Sequence, residues 1–171
     1  MSQAFETIKA FLDWEDLNYT TTTIGEDTEA AFFGVRGYNQ MALLFMVEND
    51  ADVVQFRAIK LFNDDEVNKV KQDDRTRLKV AEYLLRKNAE YKLGKWSMDE
   101  ECDIYFTISQ YWETDTDLDR GMLKRVKRIL FDDVDEMVTE IKKIIRGSEG
   151  GKSLEDVNVD DLLKMLSDKG I

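Results

Sequence analysis

The chain has no histidine, no proline and a single cysteine, Cys102. Without histidine it lacks the commonest general base and metal ligand, so Ser-His and Cys-His triads cannot be built. One thiol cannot close an intramolecular disulfide, and without imidazole it cannot supply the ligands of a zinc site. Cys102 stands just before an alternating apolar run, where a small buried residue is expected. The lack of proline, of internal repeats and of low-complexity tracts leaves little support for a domain boundary within most of the chain. Long apolar runs are missing as well. No window approaches the ~18 apolar residues of a membrane span, and the start, Met1-Ser2-Gln3-Ala4-Phe5-Glu6, is neither basic nor continuously apolar. These features predict a protein that stays in a reducing cytoplasm.

Positive charge is scarce: 24 basic residues face 36 acidic ones, for a net charge of −12. Nucleic-acid affinity rests on neutralising phosphates with Lys and Arg, so neither nucleic acid nor an anionic membrane is an expected partner. The same field suits solubility or a basic partner surface. What is present is enough for a core. With 43% hydrophobic residues among 171, the chain reads as one globular domain, able to bury roughly 70% of the surface it exposes when unfolded.

Phe5, Ile8, Phe11 and Leu12 keep helical spacing and predict a first helix over about residues 3–16. From Tyr19 the period changes to that of strands. Tyr19–Ile24 is β-branched and ends at the turn Gly25-Glu26-Asp27. Ala30–Arg36 and Met41–Glu48 flank the tight hairpin Gly37-Tyr38-Asn39, and Val53–Phe62 follows a polar turn. Short loops between neighbours predict an antiparallel meander. After a charged stretch, Leu78, Ala81, Leu85 and Asn88, with Val80 and Leu84, predict a second helix over 74–91. Leu93–Met98 and Cys102–Trp112 read as a second hairpin in the same sheet. Leu118, Met122, Val126, Ile129, Leu130, Val134, Met137, Val138, Ile141, Ile144 and Ile145 then predict a helix over 117–146, roughly 45 Å long. Such a rod overhangs a domain of this size, so part of its stripe is expected to meet a second subunit, or the helix to break in two. The fold class is α+β, an antiparallel meander plus a second hairpin packed by helices, in the order α-β-β-β-β-α-β-β-α. Gly147–Ser153 has linker composition, which divides the chain into a domain over 1–146 and a hinge with a short amphipathic tail helix over 147–171.

Apparent motifs for chemistry do not complete. Asp115, Asp117, Asp119 and Gly121 resemble a calcium loop, but the glycine is one position late and Val126 stands where a bidentate acid is needed. Acids at a helix start answer the helix dipole instead. Gly147–Ser153 mimics a phosphate loop one residue short and after a helix rather than a strand. The pairs Asp64-Asp65, Asp73-Asp74 and Asp132-Asp133 read as solvated surface, and Arg120, Lys124, Lys127 and Arg128 as a solvated or intersubunit face. No catalytic residue, cofactor or metal is expected. In the second hairpin, alternation sets Tyr105, Thr107, Ser109 and Tyr111 on one face and Ile104, Phe106, Ile108, Gln110 and Trp112 on the other, mostly core. The first set, together with Val159, Leu162, Leu163 and Leu166 of the tail, are the candidate partner or dimer contacts.

The segment from Leu85 and Asn88 at a helix end, through Gly94-Lys95-Trp96-Ser97-Met98-Asp99 and the strand Ile104-Tyr105-Phe106-Thr107-Ile108, to a long helix after an acidic loop, resembles the YbjN-domain family. The resemblance covers roughly residues 3–146. That family is similar in fold to the chaperones of type III secretion, small acidic α+β proteins, often dimers, that hold client segments. The resemblance implies a non-enzymatic, chaperone-like or regulatory module that binds a protein and forms a homodimer. Alternatives from the residues themselves are a metal-dependent enzyme using clustered carboxylates, or an acidic inhibitor or mimic of a basic protein.

Overall fold

A computed structural model describes residues 2–49, 52–112 and 118–147. The fold is α+β, with a six-stranded antiparallel sheet and a layer of helices. The order opens with α1 (Gln3–Trp14) and the strands β1 (Thr20–Ile24), β2 (Thr28–Arg36), β3 (Gln40–Glu48) and β4 (Val53–Ile59). Next come α2 (Asp64–Gln72) and α3 (Asp74–Glu90), then β5 (Lys95–Met98) and β6 (Ile104–Tyr111). A final rod consists of α4 (Arg120–Arg128), a π turn (Ile129–Asp133) and α5 (Val134–Arg146). Strands lie in the order β1-β2-β3-β4-β6-β5, so the meander is continuous and the second hairpin joins it through β6. The proposed hinge and tail, with Val159, Leu162, Leu163 and Leu166, lie outside the described residues beyond Gly147, as do Asp115 and Asp117.

Alternation fixes which residues face the helices. Phe33, Leu43, Phe45, Phe56, Phe106 and Ile108 are buried on one face and share a core with Phe5, Ile8 and Leu12 of α1 and with the α4–α5 rod. Register builds that face in rows: Ala31 opposes Phe45, Phe45 opposes Phe56, and Phe56 opposes Ile108. The Phe33–Phe45 and Phe45–Phe56 rings meet edge to face at 5.1 and 4.8 Å, the arrangement favoured by aromatic quadrupoles.

The helices depart from the sequence reading in two places. The charged stretch before residue 74 is helical: Asn63 and Glu66 form a reciprocal capping box that starts α2. In α3 the buried residues are Thr76, Val80, Tyr83 and Leu84, while Leu78 and Leu85 are 56% and 71% exposed. Two apolar stripes compete there, and the sheet side takes the one that carries Tyr83. The long rod divides into two α segments, as one of the two expectations had it: α4 and α5 are joined by the π turn, where the Val134 amide donates to the Ile129 carbonyl, and the buried apolar residues from Leu123 to Ile145 enter the same core. Asp119 supplies its N-cap, accepting from the Met122 amide at 2.6 Å. Gly147 ends it in the left-handed conformation, φ 77°.

Asp135 ties the rod to the sheet. It is 2% exposed, and its carboxylate accepts from the Tyr38 amide at 2.6 Å, the Asn39 amide at 2.8 Å and Asn39 Nδ2 at 2.7 Å. A buried carboxylate is tolerable only when its lone pairs are filled in this way. The clamp holds the Gly37-Tyr38-Asn39 hairpin tip against α5.

Candidate interaction surface

None of the described helices packs on the opposite face of the sheet, and α2 borders it only at one end. The alternation read in β6 places Tyr105, Thr107, Ser109 and Tyr111 together here, while Ile104, Phe106 and Ile108 are buried in the core. The neighbouring strands extend the surface by register. Tyr111 lies opposite Val53, Ser109 opposite Gln55, and Thr107 between Arg57 on β4 and Lys95 on β5. Farther along the sheet come Met46 and Leu44 on β3, then Ala30 and Phe32 on β2.

Polar groups at the centre are held flat. Gln55 Oε1 accepts from Arg57 Nε at 2.9 Å and Nη2 at 2.6 Å, and Gln55 Nε2 donates to Glu48 Oε1 at 2.5 Å. Those bonds link the Arg57 guanidinium to the Glu48 carboxylate through the Gln55 carboxamide. Thr107 Oγ1, shielded from solvent, has no hydrogen-bond partner among the described residues. Apolar groups surround this polar centre. Ala30 and Met46 are buried yet stand outside the main core cluster. Phe32 is 39% exposed and Tyr111 77% exposed.

At the α2 end the face runs into a cleft of about 830 Å³. Ile59, Phe62, Val67, Ile104 and Tyr105 give it apolar walls; Asp64, Asp103 and Lys60 stand at its rim, with the Lys71–Glu101 ion pair beside them. Among the described residues, no three His, Cys, Asp or Glu side chains converge as metal ligands would, and no helix is long and apolar enough to cross a membrane.

The remaining residues singled out in the sequence have structural work. Asp64 and Asp65 fill the first turn of α2, and Asp73 caps α3 by accepting from the Arg75 amide. Asp132 and Asp133 lie in the π turn. The basic residues of α4 are not a bare stripe: Arg120 and Lys124 lie over the Trp14 ring, and Lys127 pairs with Glu15. Cys102 is buried. Titration is shifted mainly at structural contacts. Burial pushes Tyr83 up to about 12, and burial, followed by the nearby Asp133, raises Tyr91. For Glu29, burial pulls upward, but bonds from the Ser2 hydroxyl, the Ser2 amide and Asn49 outweigh it and lower the net value. The Ser2 contacts, both 2.7 Å, anchor the start of α1 to β2.

No protein-family model matches the chain, and no curated protein matches it.

Proposed function

We propose that this chain is a non-enzymatic protein-binding module, chaperone-like or regulatory, that works in the cytoplasm as a homodimer and holds a protein client on the face of its sheet that none of the described helices covers, called the uncovered face below. The observation that supports this reading is that the main core cluster, together with the described helices, takes only one face of the six-stranded sheet. Its second face displays Phe32, Leu44, Tyr105 and Tyr111 around a fixed Gln55–Arg57 centre. Sheets of this kind bury one face and solvate the other with polar groups; apolar groups grouped on the wet side mark a contact surface. The resemblance to the YbjN-domain family, and through it to type III secretion chaperones, agrees with a client-holding role. The acidity of the chain favours a client of basic surface.

A photo-crosslinker placed at Ser109 tests the reading against one placed at Leu78. The expected result is a discrete adduct with a protein client from Ser109 only, whose affinity for purified chain falls at least tenfold on Tyr111→Glu. Equal labelling from both positions, or an affinity indifferent to that substitution, contradicts it. Steep loss of binding with salt would favour the acidic-mimic alternative.

A further inference from the structure

We propose that the edge strand β1 is where two copies of this chain meet, pairing antiparallel so that two six-stranded sheets become one. The inference rests on the homodimer reading above and names the surface that carries it.

The two edges of the sheet are finished differently. At β5 the strand is four residues long and carries Lys95. There the Asn88 side chain of α3 takes both main-chain groups of Trp96: Nδ2 donates to its carbonyl at 2.9 Å and Oδ1 accepts from its amide at 2.7 Å. A carboxamide thus occupies the place a neighbouring strand would take. Among the described residues neither device is present at β1. There Thr20–Ile24 has a strand on one side only, all five residues are exposed, none is charged, and the register with β2 runs without a bulge. Main-chain donors and acceptors on the outer side of such a strand are a template for another strand. Native sheets leave that template open only with charge, proline, a bulge or a cover to block it. An unblocked row of β-branched residues, which favour strand geometry, fits an edge that is occupied in the assembled protein.

Charge and symmetry select the occupant. Each copy carries a net charge of −12, so two copies associate most easily where carboxylates do not oppose one another. Antiparallel pairing centred on Thr22 sets Thr21 against Thr23 and Thr20 against Ile24. Continued outward, it sets Tyr19 against Gly25, Asn18 against Glu26 and Leu17 against Asp27, so no carboxylate faces another. The arrangement is isologous, as a two-fold dimer requires, and threonines pair with threonines across the dyad. Thr20 already lies beside Phe32 in the β1–β2 register. Pairing therefore brings the partner's Ile24 onto the same row as Phe32 with only Thr20 between them, joining two apolar groups that are exposed in the single chain.

The test uses the full chain, with sedimentation velocity and a cysteine scan over Thr20 to Ile24. The wild type is expected to be a dimer, and Thr22→Lys to raise its dissociation constant at least tenfold while leaving the circular dichroism unchanged. Mild oxidation is expected to link Thr22→Cys most efficiently, because that position faces itself across the dyad, and to leave Ser97→Cys on β5 unlinked. A dimer that survives Thr22→Lys but is lost with Leu85→Glu on α3 or Tyr111→Glu on the uncovered face would keep the homodimer and refute its placement at β1. The same follows if crosslinking shows no preference for position 22. A wild-type monomer at every concentration overturns both.

Discussion

The two faces of the sheet are made from the same six strands yet do opposite things. On one, Phe33, Phe45, Phe56 and Phe106 lock into the helices; on the other, Gln55, Arg57, Thr107 and Ser109 stand in the same strands one residue out of step. The comparison teaches that the side-chain period of two separates the core-forming face from the other, which under the proposed function separates stability from recognition. A substitution on one face should unfold the chain, and its neighbour in sequence should change only what the chain touches.

The largest expected effect comes from the core face. Phe56→Ala removes a fully buried ring with an edge-to-face neighbour and is expected to cost about 3–5 kcal/mol by denaturant titration. Asp135→Ala should follow, at about 2–3 kcal/mol, because the Tyr38 and Asn39 amides lose a charged acceptor in a buried site. A smaller effect is expected from pH. The folded-state value of Glu29 lies below its ordinary 4.5, so its contribution is present above 4.5 and is lost as pH falls through the lowered value. Glu29→Gln should flatten the acid limb of the melting curve; an unchanged limb would show that the Ser2 anchor contributes nothing. Tyr111→Ser on the uncovered face is expected to shift stability by less than about 0.5 kcal/mol. A large loss there would erase the contrast between the faces.

Much of this was legible in the chain. The strands and their meander follow from β-branched runs punctuated by Gly25-Glu26-Asp27 and Gly37-Tyr38-Asn39, and the alternation in β6 sorts its residues correctly between the faces. What escaped is non-local or ambiguous. The helix α2 contains only Val67 and Val70 as apolar residues, so periodicity is silent there; the Asn63…Glu66 spacing was the one available signal. In α3, two leucines lie on one stripe and Val80, Tyr83 and Leu84 on another, and only the position of the sheet decides between them. Asp135 sits among acids that read as solvated, although its place between Val134 and Met137 on the apolar stripe hinted at burial. Its partners are nearly a hundred residues away, a pairing no local pattern encodes. Asn88 looked like a helix end, and its bonds to Trp96 show that it also finishes an edge of the sheet.

Amide hydrogen exchange of the full chain, measured with and without the client captured from Ser109, tests the central claim most directly. Protection gained over β4 and β6, with α3 unchanged, is the predicted result. Protection confined to α3, around the exposed Leu78 and Leu85, would contradict it and move the binding surface to the other side of the molecule.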